Sequence, residues 1–157
     1  FINNIKMVSN ANAEIDSLTD FDPAGDAIVH EEFKQYLSGL SPSKNGTISL
    51  KSYSPNTLEY ESDTNGEQLA VFSEIWYGPG KGWQAYIDSK PADHIRVNYI
   101  LRGLRVPEGK HTITFEFKPQ SYYLGETISL ICSLMLLALL IFVIYRSFKK
   151  DFALSVA

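Results

Sequence analysis

Residues 128–145 read ISLICSLMLLALLIFVIY, eighteen in a row without a charge, a proline or a glycine. As a helix rising about 1.5 Å per residue, this run is roughly 27 Å long, close to the hydrocarbon thickness of a bilayer. A single segment crosses lipid only as a helix, because every backbone N–H and C=O must find its partner within the segment. A helix buried in a water-soluble core would carry a polar stripe, whereas here Ser129 and Ser133 alone interrupt the apolar surface. Tyr122, Tyr123 and Tyr145 stand where interfacial aromatics belong, and Arg146, Lys149 and Lys150 follow directly. That basic flank predicts a cytoplasmic C-terminal tail, with the bulk of the chain on the opposite side. The single cysteine, Cys132, lies inside the run and reads as a small apolar filler.

Roughly 125 residues precede this run, enough to bury a core without disulfides. Residues 1–126 carry 17 acids and 11 bases, a net charge of −6. Phosphates would be repelled by such a domain, so nucleic acid is excluded as a partner. The chain opens on Phe1, and its first residues lack the basic start and apolar run of a secretory signal. Delivery across the membrane is therefore expected to depend on a segment upstream.

Residues 1–8 read as a strand and 11–18 as a short helix capped by Ser9 or Asn10, with Ile15 and Leu18 on one side. A brief strand at 27–29 precedes a second short helix over 31–37, whose buried side is Phe33, Tyr36 and Leu37. SGLSPSKNG (38–46) is a linker. From Thr47 onward the hydrophobic period is two. Asn65-Gly66, between two strand-like runs, is the sharpest hairpin signal in the chain. The nearly continuous apolar run 69–77 predicts a central strand, followed by the loop YGPGKG (77–82). Trp83, Ala85 and Ile87 alternate with Gln84, Tyr86 and Asp88, and 88–93 reads as a tight turn. Ile95, Val97 and Tyr99 mark the next strand, and Leu104 and Val106 another, with Gly103 a possible register break. Ile113, Phe115 and Phe117 face away from Thr112, Thr114 and Glu116 in the last. About seven short strands between 47 and 118 predict a mainly β chain: an antiparallel β-sandwich with a small N-terminal α/β annex, followed by one C-terminal transmembrane helix. The expected divisions are annex 1–45, extracytoplasmic sandwich 46–122, transmembrane helix 126–147 and cytoplasmic tail 148–157.

No catalytic constellation is visible. His30, His94 and His111 have no metal-ligand spacing, no glycine-rich phosphate loop opens a helix, and no serine sits in a nucleophile elbow. No catalytic residue, metal or cofactor is expected. Trp76, Tyr77, Trp83 and Tyr86 bracket the Gly-Pro loop. With polar neighbours such as Gln84, Asp88 and Asn98 they suit sugar stacking, and equally they are ordinary sandwich-core residues. Arg102, one of three arginines within ten residues, is the candidate for an anionic ligand; pairing with acids on exposed strand positions is the alternative.

The pieces SEIWYGPGKGW, WQAYID, RVNYILRGLRVPEGKH and FEFKP, in this order, resemble the C-terminal region of the YfhO-like family of bacterial membrane proteins. INNIKMVSNANAEIDSL and DPAGDAIVHEEF resemble the segment before it, and a single helix with a basic tail is what the family shows at its end. The loop YGPGKGW departs from the resemblance, which leads one to expect a shorter connection. The resemblance implies a polytopic parent like the GT-C type of glycosyltransferases. Such enzymes move a sugar from a polyprenyl-phosphate donor to an envelope acceptor, in some members a teichoic-acid-type polymer. Their catalytic acids lie in loops among early helices, so no catalytic residue is carried onto this chain. The expected role is an extracytoplasmic accessory domain with its anchor in the bacterial inner membrane. It would position an acceptor glycan or teichoic-acid-like polymer, or brace the catalytic part. The alternative is a non-catalytic structural or carbohydrate-binding module. The expected partners are the lipid bilayer, the upstream transmembrane part of the same protein and an envelope glycan.

Overall fold

The computed structural model describes residues 1–43, 45–78 and 81–155, with side chains as far as Arg146. Lys44 of the 38–46 linker, Pro79-Gly80 of the Gly-Pro loop, the side chains of Lys149 and Lys150, and residues 156–157 lie outside the described residues. The chain forms two compact units, Phe1–Lys118 and Pro119–Ala157.

Asn10 is extended (φ −155°, ψ 165°), and its side chain accepts the Ala13 N–H at 2.9 Å, which starts helix α1 (Ala11–Ser17). This helix is the crossover that a parallel strand pair requires: β1 (Asn4–Val8) and β2 (Asp26–His30) run side by side, Asn4 opposite Asp26 and Val8 opposite His30. The helix turns Glu14 inward and leaves Ile15 46 % exposed, the reverse of the apolar side expected from its sequence. The helix expected over 31–37 is a single 3₁₀ turn, Glu31–Phe33, followed by irregular turns. Arg105 Nη1 donates to the Tyr36 and Ser38 carbonyls at 2.6 and 3.2 Å, which holds the end of these turns in place.

Eight strands follow: β3 (Gly46–Ser54), β4 (Thr57–Thr64), β5 (Gln68–Ile75), β6 (Trp83–Ile87), β7 (Lys90–Ala92), β8 (His94–Val97), β9 (Leu101–Val106) and β10 (Gly109–Phe117). They make two antiparallel sheets, in the orders β3-β4-β10-β6-β7 and β5-β9-β8. The period-two patterning orients them. Leu58, Ile113 and Phe115 from the larger sheet meet Phe72, Leu104 and Val106 from the smaller, and all are 5 % exposed or less. On its other face the smaller sheet packs Leu69, Ile95 and Val97 against Ala27 and Val29 of β2. The sandwich therefore carries the annex as a third layer.

Four local expectations fail for physical reasons. Asn65-Gly66 is not a hairpin: β4 and β5 lie in different sheets, and neither residue has the positive φ that a type I′ turn needs. The Thr64 hydroxyl instead binds the Gly66 backbone and closes a local turn. The apolar run 69–77 holds the edge strand β5, not a central one; its continuous hydrophobicity reflects burial on both faces of the smaller sheet. The expected turn 88–93 splits into a two-residue loop, Asp88 (φ 50°) and Ser89 (φ 66°), and the short strand β7. Gly103 does not break the register: it sits opposite Ile95 on β8 and Val71 on β5. A Cβ there would lie 2.7 Å from Val97 Cγ1, so glycine lets the side chains of the flanking strands β5 and β8 close over this position.

The second unit is helix α2 (Gln120–Ser155). Gln120–Arg146 has a mean hydropathy of 2.9, long and apolar enough to cross a membrane. Two of its hydroxyls are satisfied internally: Thr127 donates to the Tyr123 carbonyl and Ser133 to that of Ser129, both at 2.8 Å.

Candidate functional site

Strand parity decides what lies between the sheets where β6 begins. Trp83 opposes Phe117 in the β6–β10 ladder, and their rings sit 5.3 Å apart. On β9, Arg102 shares a face with Leu104 and Val106 and so points at the larger sheet. Its guanidinium carbon lies 4.3 Å from the Trp83 ring centre and 5.2 Å from that of Phe115. Nε donates to the Ile75 carbonyl at 2.8 Å, while Nη1 is buried with no hydrogen-bond partner among the described residues. Arg102 is 1 % exposed, and burial lowers its pKa against the opposing influence of Glu74.

His94 adds a second buried nitrogen. It opposes Leu104 from β8, and its ring meets the Phe115 ring edge-on at 5.9 Å. Nε2 has no partner among the described residues. Burial, reinforced by the Arg102 charge, holds the imidazole below its usual pKa, so it is neutral at neutral pH. Beside it a cleft of about 250 Å³ is lined by Trp83, Gln84, Tyr86, Pro91, Asp93 and His94, among others. The Tyr86 hydroxyl donates to Gln84 Oε1 at 2.7 Å, which fixes both side chains. An indole and a phenol next to an amide and a carboxylate give the cleft apolar ring surface and hydrogen-bond partners, while the unpartnered imidazole nitrogen is closed off from it.

Of the residues singled out from the sequence, Trp83 and Tyr86 line this cleft and Arg102 lies against the Trp83 ring. Trp76 is elsewhere: its ring meets Phe33 edge-on at 6.3 Å, and its backbone N–H donates to the Ile100 carbonyl at 2.7 Å. Tyr77 is 49 % exposed.

Two polar arrangements escaped sequence reasoning. Asp88 Oδ2 lies 2.6 Å from His111 Nδ1, and Glu108 O lies 3.0 Å from Nε2. The hydrogen bond with Asp88 raises the His111 pKa, and the same bond lowers that of Asp88. With both ring nitrogens engaged, His111 clamps the β6–β7 turn to β10 and is not free to act as a base. The second is Glu14, fully buried: Oε1 accepts the Tyr99 N–H at 2.8 Å, and Arg96 Nη2 lies 3.2 Å from Oε2 without hydrogen-bond alignment. Tyr99 and Asn98 are left-handed (φ 70° and 47°), and Asn98 exchanges two hydrogen bonds with Ile28 of β2. Asn98 was the one local signal, since asparagine tolerates that conformation. Among the described residues, no group of three His, Cys, Asp or Glu side chains is placed to hold a metal ion.

The family model described as "Bacterial membrane protein YfhO" matches residues 25–129. No curated protein and no solved structure matches the chain.

Proposed function

This chain belongs to the YfhO family of bacterial membrane proteins, and from that premise we propose that its β unit is an extracytoplasmic accessory domain of an envelope glycosyltransferase-like protein. In this reading α2 anchors the unit, and the Trp83 cleft holds the acceptor glycan or polymer while chemistry proceeds elsewhere in the protein. The observation that carries it is the cleft itself, whose lining sets the Trp83 and Tyr86 rings beside the Gln84 amide and the Asp93 carboxylate. Sugar C–H faces pack on aromatic rings, and sugar hydroxyls match Gln84 and Asp93. At about 250 Å³ the cleft is sized for roughly one sugar ring. The acidic β unit and the basic flank at Arg146 support the outside placement.

Calorimetric titration of the whole chain in micelles with envelope glycans and teichoic-acid-like polymers tests the reading. Saturable binding is expected, weakened about tenfold or more by Tyr86→Ala and unchanged by Trp76→Phe. Absence of saturable binding by the unaltered chain would remove the holding role. It would leave a bracing module, the reading favoured by the packing of Trp76 and Trp83 on Phe33 and Phe117.

A further inference from the structure

Seven large hydrophobic side chains of Phe1–Lys118 are exposed among the described residues, and five of them gather at one end. These are Tyr53 (68 %), Ile75 (57 %), Tyr77 (49 %), Tyr99 (36 %) and Ile100 (49 %). The ladders fix their location. Ile75 opposes Leu101, Trp76 N–H reaches the Ile100 carbonyl, and Tyr53 lies one pair before the end of the β3–β4 hairpin. Arg102 joins this end of the smaller sheet to the start of β6, since it touches both Ile75 and Trp83. Ile15, a sixth of the seven, adjoins Glu14, whose carboxylate takes the Tyr99 N–H.

The same end is where the chain leaves the unit. Phe117 N–H donates to the Asn56 carbonyl at 2.9 Å and Lys118 N–H to that of Gly82 at 2.7 Å. Two residues, Lys118 and Pro119, separate β10 from α2. The apolar span Gln120–Arg146 has 27 residues, which as a helix is about 40 Å, the thickness of a bilayer with its headgroups. A span of that length starts at the headgroup surface, and a two-residue tether keeps the exit end of the β unit at that surface.

We infer that this end, carrying Tyr53, Ile75, Tyr77, Tyr99 and Ile100, is a lipid-contacting surface seated in the interfacial layer of the bilayer. Tyrosine with isoleucine is the composition that layer favours, a wet hydroxyl on an apolar body beside aliphatic side chains. An exposed apolar patch marks a contact surface, and the tether selects lipid as its occupant. The inference is independent of the glycan reading, because none of the five residues lines the Trp83 cleft.

Site-specific quenching tests it on the whole chain in phosphatidylethanolamine–phosphatidylglycerol vesicles. In a Cys132→Ser background, a polarity-sensitive fluorophore is placed at Ile100→Cys, at Ile75→Cys as a second reporter, and at Lys110→Cys as the control. Lys110 lies at the opposite end, beside the Gly109–Thr64 pair, with its side chain 84 % exposed. Phospholipid brominated near the headgroup is expected to quench the probes at 75 and 100 at least twofold more than the probe at 110, and aqueous iodide to show the reverse order. Equal iodide quenching at all three positions overturns the inference. So does shielding at 75 and 100 from both quenchers, which would mean that protein covers the patch.

Discussion

Gly103→Ala probes how closely the side chains of β5 and β8 close over β9 on its annex face. The new methyl carbon would stand 2.7 Å from Val97 Cγ1, with Ile95 Cγ1 at 3.4 Å and Leu69 Cδ1 at 3.5 Å closing the other directions. Comfortable carbon contacts are about 3.5–4.0 Å, so relief needs a shift of nearly 1 Å in a layer whose neighbours, Leu69 and Val97, are fully buried. Overpacking of this kind costs about 1–3 kcal/mol. Loss of glycine's freedom in the unfolded chain returns about 0.4–1 kcal/mol. The expected net destabilisation is about 1–2 kcal/mol. Both tryptophans lie in Phe1–Lys118, so urea titration in mild detergent followed by their emission reports on the β unit alone. A double-mutant cycle sharpens the test. Val97→Ala removes the side chain that clashes, so the pair Gly103→Ala/Val97→Ala should cost at least about 1 kcal/mol less than the sum of the singles. A single-variant cost below about 0.5 kcal/mol, or additivity within about that margin, would refute the account of β9 as closely covered on its annex face.

Two histidines pull stability in opposite directions with pH. His94, with its pKa lowered by burial, costs stability at low pH that is regained as pH rises towards the ordinary histidine value; His111, raised by Asp88, contributes below that value and loses its contribution as pH rises through its folded pKa. The urea midpoint should therefore peak near pH 6.5, with His94→Leu removing the rising limb and His111→Gln the falling one. A flat profile for the unaltered chain between pH 5 and 8.5 would contradict both assignments. Glu14→Ala strands the Tyr99 N–H and leaves Arg96 without its buried partner, and is expected to cost about 3 kcal/mol in the same titration; a cost under about 1 kcal/mol would show that the left-handed turn does not depend on Glu14.

What was legible in the sequence followed burial periodicity. Ile113, Phe115 and Phe117 alternate as one-faced strands do, and all pack inward or partly so. The apolar span of α2 needed only its length and composition. Strand neighbours were not legible, because periodicity says which face is buried and nothing about the partner. Asn65-Gly66 has hairpin chemistry, yet its flanking strands belong to different sheets. The run from Leu69 to Ile75 mimics a central strand because the annex covers the face that an edge strand usually exposes. Arg105 and Arg102, three residues apart on one strand, face opposite ways. The first reaches the annex carbonyls of Tyr36 and Ser38, and the second the larger sheet. That Arg102 would be buried was not readable from parity, since it depends on Trp83 and Phe115, distant in sequence, closing around it. The cleft was half legible: its aromatics stood out on β6, while His94 looked like an isolated histidine until β8 brought it alongside.

The position of β10 has a consequence for biogenesis. It is the last strand made, yet it is the middle one of its sheet, with β4 on one side and β6 on the other. As the chain emerges from its N-terminus, the β3–β4 and β6–β7 ribbons have no common partner until residues 109–117 arrive, and the membrane span follows three residues later. Insertion of that helix and closure of the sheet thus fall at nearly the same moment of synthesis. A ribosome that stalls or terminates shortly before residue 109 would leave two open ribbon edges exposed to self-association and to quality-control proteases.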